Sequence, residues 1–154
     1  GKGYMKGNEL VNEPFDFSKK NRLTLSDLHT IVKSIMFPDA VSEKKRFNLS
    51  ADDYAFLHKY MSMLPRESVS PVYDSIDYWD NYVKFLFYGA EKGKHDPGIR
   101  IFNKSGNAYG FLIDAAYIID YMNNIEFMVS AIIYCNSDGI FNDDKYDYKT
   151  LGFH

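Results

Sequence analysis

One short stretch carries residue types whose order could do chemistry. Lys104-Ser105-Gly106-Asn107 sets an ammonium, a hydroxyl and a residue without a Cβ between two apolar runs, Ile99–Asn103 and Tyr109–Tyr121. Alone the tripeptide reads as a hairpin turn, because Gly and Asn between β-branched and aromatic runs are turn formers. The other candidates point to structure. His29 lies beside the apolar face of a helix and reads as a core-edge histidine; His58, His95 and His154 are scattered, without the spacing of zinc ligands. Cys135 is the sole cysteine, which excludes an internal disulfide and any multi-thiolate site, and it reads as a buried small side chain. The acidic tail from Asn136 to Asp144 has the composition of a calcium loop but not its alternating ligands or closing Glu, and reads as a solvated turn. No Gly-rich phosphate loop is present, so no cofactor and no metal are expected.

The elements that must position the tripeptide are legible in hydrophobic spacing. Residues 1–22 are polar and read as an irregular lead-in, with Pro14-Phe15-Asp16-Phe17 as a docking point. Leu25, Leu28, Val32, Ile35 and Met36 recur at helical spacing from about Thr24 to Met36; Thr24 or Ser26 would cap this helix, and Pro38 stops it. Ser50 with Asp53 forms a variant capping box for a second helix, whose inner face is expected to be Tyr54, Leu57, Tyr60, Met61 and Leu64. A third helix is expected from about Asp77 to Tyr88, closed by Gly89. Three β-type runs follow, Ile99–Asn103, Tyr109–Tyr121 and Glu126–Tyr134, joined by turns at Lys104–Asn107 and Met122–Asn124. The predicted class is α+β: three helices packed on a three-stranded antiparallel meander, in a single domain over residues 23–154.

With 154 residues the chain can bury a substantial core without staples. Its 13 Tyr, 12 Phe and 1 Trp favour a filled core or a chain that also makes interfaces. A net charge of −3 with mixed signs argues against nucleic acid as a partner. No apolar stretch is long enough to span a membrane, and Gly1–Lys6 lacks the apolar centre of a signal peptide.

The run Ile99-Arg-Ile-Phe-Asn-Lys-Ser-Gly, the run Ala108-Tyr-Gly-Phe-Leu-Ile-Asp-Ala-Ala-Tyr-Ile and the run Glu126–Tyr134 together resemble the C-terminal portion of the class A β-lactamase and penicillin-binding serine hydrolases. The likeness is strongest to the β-lactamase-like hydrolases of gut Bacteroidetes. The helix beginning at Leu23 looks like the one that follows the family's Ω-loop. The resemblance implies part of a β-lactamase/transpeptidase-like fold, with substrates of β-lactam or peptidoglycan-like acyl type. By the same resemblance Lys104 supplies positive charge to the pocket, Ser105 Oγ donates to the substrate carboxylate and Gly106 lets substrate lie against the strand. The Asn107 N–H would be one of two oxyanion donors.

The family's nucleophile, the serine of a Ser-x-x-Lys motif, is expected to be absent. The only such spacing, Ser42-Glu-Lys-Lys45, lies in a charged connector with no apolar run to bury the lysine and lower its pKa. No Ser-Asp-Asn is present, and Trp79-Asp80-Asn81 is expected inside the third helix. Two readings therefore stand: a piece of a serine hydrolase, inactive alone and lacking its N-terminal half, or a non-catalytic protein that keeps the fold, either a degenerate domain or a protein-interaction module. A periplasmic or extracellular location is implied by the resemblance only. The last run, Phe127–Tyr134, is expected to present an exposed apolar edge and to pair with a second copy as a homodimer.

Overall fold

The computed structural model describes residues 1–152; Phe153 and His154 lie outside the described residues, as does the end of the domain expected over 23–154. The fold is α+β. Its centre is an antiparallel sheet of β3 (Ile99–Ala108), β4 (Phe111–Asp120) and β5 (Ile125–Tyr134), in the order β3-β4-β5. The register runs from Ile99 opposite Asp120 to Ala108 opposite Phe111, and on the other side of β4 from Phe111 opposite Tyr134 to Asp120 opposite Ile125. β3 and β5 are thus the two edges.

Both faces of β4 are covered, which is why Phe111–Asp120 reads as an almost unbroken apolar run. Helices α1 (Leu25–Met36) and α2 (Ala51–Ser62) lie on one face, where Leu28, Val32 and Ala115 are buried with Met36, Met61, Ile113 and Met128 around them. On the opposite face Ile99, Ile101, Ala116 and Ile118 are buried against Leu86 and Tyr88, from the segment around a single helical turn, α3 (Phe85–Tyr88). Each long helix starts where its cap dictates. Thr24 Oγ1 accepts from Asp27 N at 3.0 Å; Ser50 Oγ accepts from Asp53 N, and Asp53 Oδ2 accepts in return from Ser50 N. Tyr60 turns away from the core, 53% exposed and stacked on Phe56, while Leu57, His58 and Met61 face inward.

Three expectations are corrected. The lead-in is not irregular: β1 (Gly3–Lys6) and β2 (Glu9–Val11) form a hairpin, and β1 pairs in parallel with β6 (Ile140–Phe141) in a second sheet. Gly7, at a φ of +62°, allows that hairpin's turn. Phe15 and Phe17 tie the small sheet to the large one by packing on Tyr109 and Phe141.

The turn between β3 and β4 is not Lys104–Asn107 but Tyr109-Gly110. Both turn residues have positive φ, 52° and 81°, as the twist of a two-residue hairpin requires. A tyrosine is an unusual occupant of that conformation, and the aromatic cluster around its ring holds it there. Lys104–Asn107 is therefore regular strand.

The third helix shrinks to its last turn. Val83 sits at a φ of +55°, which no α-helix accommodates, so residues 77–84 form irregular turns and Trp79-Asp80-Asn81 is not helical.

Candidate functional site

Because β3 is an edge strand, the outer edge of Lys104–Asn107 is free of sheet pairing. Alternation along the strand sends Asn103, Ser105 and Asn107 to the α3 face, and Lys104 and Gly106 to the face carrying α1 and α2. A cavity of about 390 Å3 is lined by Lys104 as well as by Asn103 and Ser105. Residues from both faces line it, so it lies along the strand's free edge. Lys104 is exposed and its Nζ donates to Ser105 O at 2.6 Å. Ser105 and Gly106 are half-buried and Asn107 is exposed. Ser105 Oγ makes no hydrogen bond among the described residues.

Gly106 has no local reason to be glycine. Its φ lies outside the left-handed region, and a Cβ placed there would meet only Ile113 Cγ2, at an ordinary 3.7 Å. A glycine inside a strand costs roughly 0.5–1 kcal/mol relative to alanine. A strand interior without a side chain marks a place where another molecule or backbone can approach closely.

Beneath this edge lies a polar network that hydrophobic spacing does not reveal. Lys84, 4% exposed, donates from Nζ to Met61 O and Ile101 O at 3.1 Å and to Asn103 Oδ1 at 2.7 Å. Asn103 Nδ2 donates in turn to Val83 O at 2.8 Å and to Asp114 Oδ1 at 2.9 Å, and Asp114 Oδ2 accepts from Leu86 N. Every N–H of the Lys84 ammonium is engaged, so the end of α2, the approach to α3 and strand β3 are fastened at one point. Burial brings the Lys84 pKa down to about 8, with the charge of Asp114 opposing that shift. Burial likewise raises the Asp114 pKa, against hydrogen bonds from Asn103 and Leu86. The strained φ of Val83 aims its carbonyl at Asn103, a local cost of about 1–3 kcal/mol offset by the network. Two signals in the sequence mark these residues: a lysine inside the aromatic run Tyr82–Tyr88, and an aspartate inside the apolar run Phe111–Tyr117.

No family model matches the chain, and neither curated proteins nor solved structures give a match.

The other candidates are placed apart from this edge. Ser42 and Lys45 are exposed around a short 3-10 turn at Glu43–Lys45, and neither lines the cavity beside β3. His29 Nδ1 is 2.8 Å from Ser130 Oγ, a bond joining α1 to β5. His58 bonds Ile35 O at 3.0 Å, and His95, buried, bonds Ile99 O at 2.8 Å. Burial pushes the His95 pKa down. Cys135 is fully buried and its thiol pKa is raised by that burial, then by Asp147. In the acidic tail, Asp147 accepts from Ser137, and Asp138 and Asp143 cap their own turns. Among the described residues no group of three or more His, Cys, Asp or Glu is placed to hold a metal, and no helix is long and apolar enough to cross a membrane.

Proposed function

We propose that the free edge of β3 at Lys104–Asn107 is the substrate wall of a penicillin-recognising serine hydrolase. In this reading the chain binds β-lactam or peptidoglycan-like acyl groups without acylating itself. The observation that carries it is Gly106, whose missing side chain the fold does not require, on an unpaired strand edge beside an exposed ammonium and an unengaged serine hydroxyl. Lys104 and Ser105 would take the substrate carboxylate. The edge of β3 would pair with the acyl-peptide backbone, and the N–H of Asn107 would contribute to an oxyanion site. The attacking hydroxyl and its own N–H would come from a second segment, outside residues 1–154. A location in the periplasm or outside the cell follows from this reading.

Titration with an acyl-D-alanyl-D-alanine peptide tests it. Amide shifts confined to Lys104–Asn107 and removed by Gly106→Val support the proposal; unperturbed amides at saturating peptide sink it. A fluorescent penicillin should leave the chain uncoupled, and a covalent adduct would show that it holds its own nucleophile.

A second reading, a non-catalytic interaction module, is favoured by β5. Its outer edge is unpaired, and Phe127, Ile132, Ile133 and Tyr134 are each more than 40% exposed. Such an edge accepts another strand, from a second copy through Phe127–Tyr134 or from a segment outside residues 1–154. Light scattering on concentrated protein distinguishes these: a dimer lost on Ile132→Lys supports self-pairing, and a monomer leaves only a strand from another segment.

A further inference from the structure

The cavity beside β3 has a composition that selects its ligand. Its wall includes two lysines, Lys84 and Lys104, four tyrosines, and no aspartate or glutamate. The nearest carboxylate behind the wall, Asp114, is turned to Asn103 Nδ2 and Leu86 N, so Lys104 is the one charged group of the lining that is exposed. The contributions of the two lysines differ. Lys84 has all its N–H groups engaged by Met61, Ile101 and Asn103, and its charge is balanced by Asp114 through that amide, so it offers a ligand nothing. Lys104 gives one N–H to Ser105 O and keeps two for a ligand.

The same cavity is lined by an aromatic ladder. Tyr73 and Tyr78 have ring centroids 4.9 Å apart, and Tyr78 and Tyr82 are 5.1 Å apart in an edge-to-face arrangement. Tyr73 and Tyr78 remain partly exposed, and the three hydroxyls make no hydrogen bond among the described residues. Their segment also carries Val72 and Ile76, 81% and 79% exposed, so it is not folded inward to fill a core. Aromatic rings packed on one another in a cavity wall offer ring-stacking area at low entropy cost.

We propose that this cavity binds a small carboxylate that also carries an aromatic ring. The carboxylate sits at Lys104 and Ser105, and the ring lies against Tyr78 and Tyr82. The inference rests on the reading above for the carboxylate and adds to it the class of acyl side chain that the site selects. At about 390 Å3 the cavity is at the small end of the range for such ligands. Trp79, the only tryptophan, lies 5.4 Å from Tyr82 and reports occupancy by its fluorescence.

The experiment uses three probes: phenylacetylglycine, its primary amide, and acetylglycine. Phenylacetylglycine is expected to change Trp79 fluorescence saturably and to bind at least tenfold more tightly than either of the others. Tyr78→Ala should weaken it at least tenfold while leaving acetylglycine unchanged, and Lys104→Gln should remove the preference for the acid over its amide. Tyr78→Phe, which keeps the ring, should bind as the parent does and guards against misfolding as the cause. Equal binding of acetylglycine, no effect of Tyr78→Ala, or no binding of phenylacetylglycine overturns the inference. Binding of acyl-D-alanyl-D-alanine without phenylacetylglycine would leave the hydrolase reading standing and remove this one. The reverse result would remove the hydrolase reading and keep the ring-selective cavity.

Discussion

Lys84 Nζ stands 2.7 Å from Asn103 Oδ1, and the other end of that amide donates to Asp114 Oδ1 at 2.9 Å. One side-chain amide thus sits between a buried ammonium and a buried carboxylate, taking a bond from the first and giving one to the second. The two charges compensate each other through a group with a fixed donor and acceptor, which sets where Asn103, and with it the next residues of β3, must lie. Asn103 immediately precedes Lys104, so the geometry of the candidate wall is anchored from below by groups that need not touch a ligand.

The first prediction concerns the cost of that anchor. Lys84→Met keeps the stem and leaves Asp114 and Asn103 without the charge that balances them. Lys84 meets Asp114 only through the Asn103 amide, so the loss is that of buried hydrogen-bond acceptors left without their charged donor, about 1–3 kcal/mol. The pH dependence has a definite sign. The folded-state pKa of Lys84 is about 8, below the 10.5 of the unfolded chain. Between those values the unfolded state holds a proton that the folded state has released, so raising the pH favours folding. The stability that parent holds over Lys84→Met should therefore widen between pH 8 and 10 in paired urea titrations. Tyrosine ionisation is common to both proteins and cancels. A gap that narrows would mean the folded state holds the Lys84 proton more tightly than the unfolded chain does.

Glu67 offers the opposite sign. Arg100 donates to both of its carboxylate oxygens at 2.9 Å, and Leu64 N donates to Oε2, so the Glu67 pKa is lowered, chiefly by Arg100. The bonds join the turn after α2 to β3. A depressed carboxylate contributes stability above its unfolded value near 4.5, and loses it as pH falls through the folded value. The pair is partly exposed and screened, so Glu67→Gln should cost about 1 kcal/mol at pH 7 and low salt. The cost should shrink in molar salt and vanish at low pH. Thermal melts at two ionic strengths would show it; a salt-independent loss would place the effect in the Leu64 bond instead.

What was legible in the sequence follows from how local each signal is. The starts of α1 and α2 depend on Thr24 with Asp27 and Ser50 with Asp53, groups three residues apart, and both were readable. The three strands of the meander were readable from β-branched and aromatic runs. The third helix was not, because Tyr78, Tyr82, Phe85 and Leu86 have helical spacing while Lys84 is drawn inward by Met61, Ile101 and Asn103, residues far away in sequence. The β3–β4 turn is not legible locally because Lys104–Asn107 has turn-forming residues, whereas Tyr109 is held at positive φ by Phe15 and Phe17 from the other end of the chain. The lead-in hid its strands because its hairpin is three and four residues long and leans on β6. At the site, the tripeptide was visible in the sequence and its supporting network was not.

The cap of α2 gives a purely local prediction. Ser50→Ala removes the oxygen that accepts from Asp53 N and leaves Asp53 a single backbone bond to return. The loss should be about 1 kcal/mol, seen as a lower melting temperature with unchanged ligand response. Ser50→Asp, another good cap at this position, should restore most of it. A variant as unstable as the alanine would show that the hydroxyl's own bond to Asp53 Oδ2 matters more than the cap.

Two glycines of one hairpin should answer differently to the same substitution. Gly110 has a φ of +81°, and a Cβ there would lie 2.5 Å from Asn136 Cβ, so Gly110→Ala must strain the turn and displace the start of the tail. A left-handed non-glycine residue costs about 1–3 kcal/mol, and the clash adds to it. Gly106→Ala faces only Ile113 Cγ2 at 3.7 Å and an ordinary strand backbone, so folding should be unharmed or slightly improved, by up to about 1 kcal/mol. Denaturant unfolding of the two variants beside the parent makes the comparison. A loss of stability at Gly106 as large as that at Gly110 would mean the fold itself demands the missing side chain, and the argument for a molecule lying against the edge of β3 would lose its ground. Stability retained at Gly106 together with weakened peptide binding would assign the glycine to the ligand, because no contact within the chain would then account for its presence in the middle of a strand.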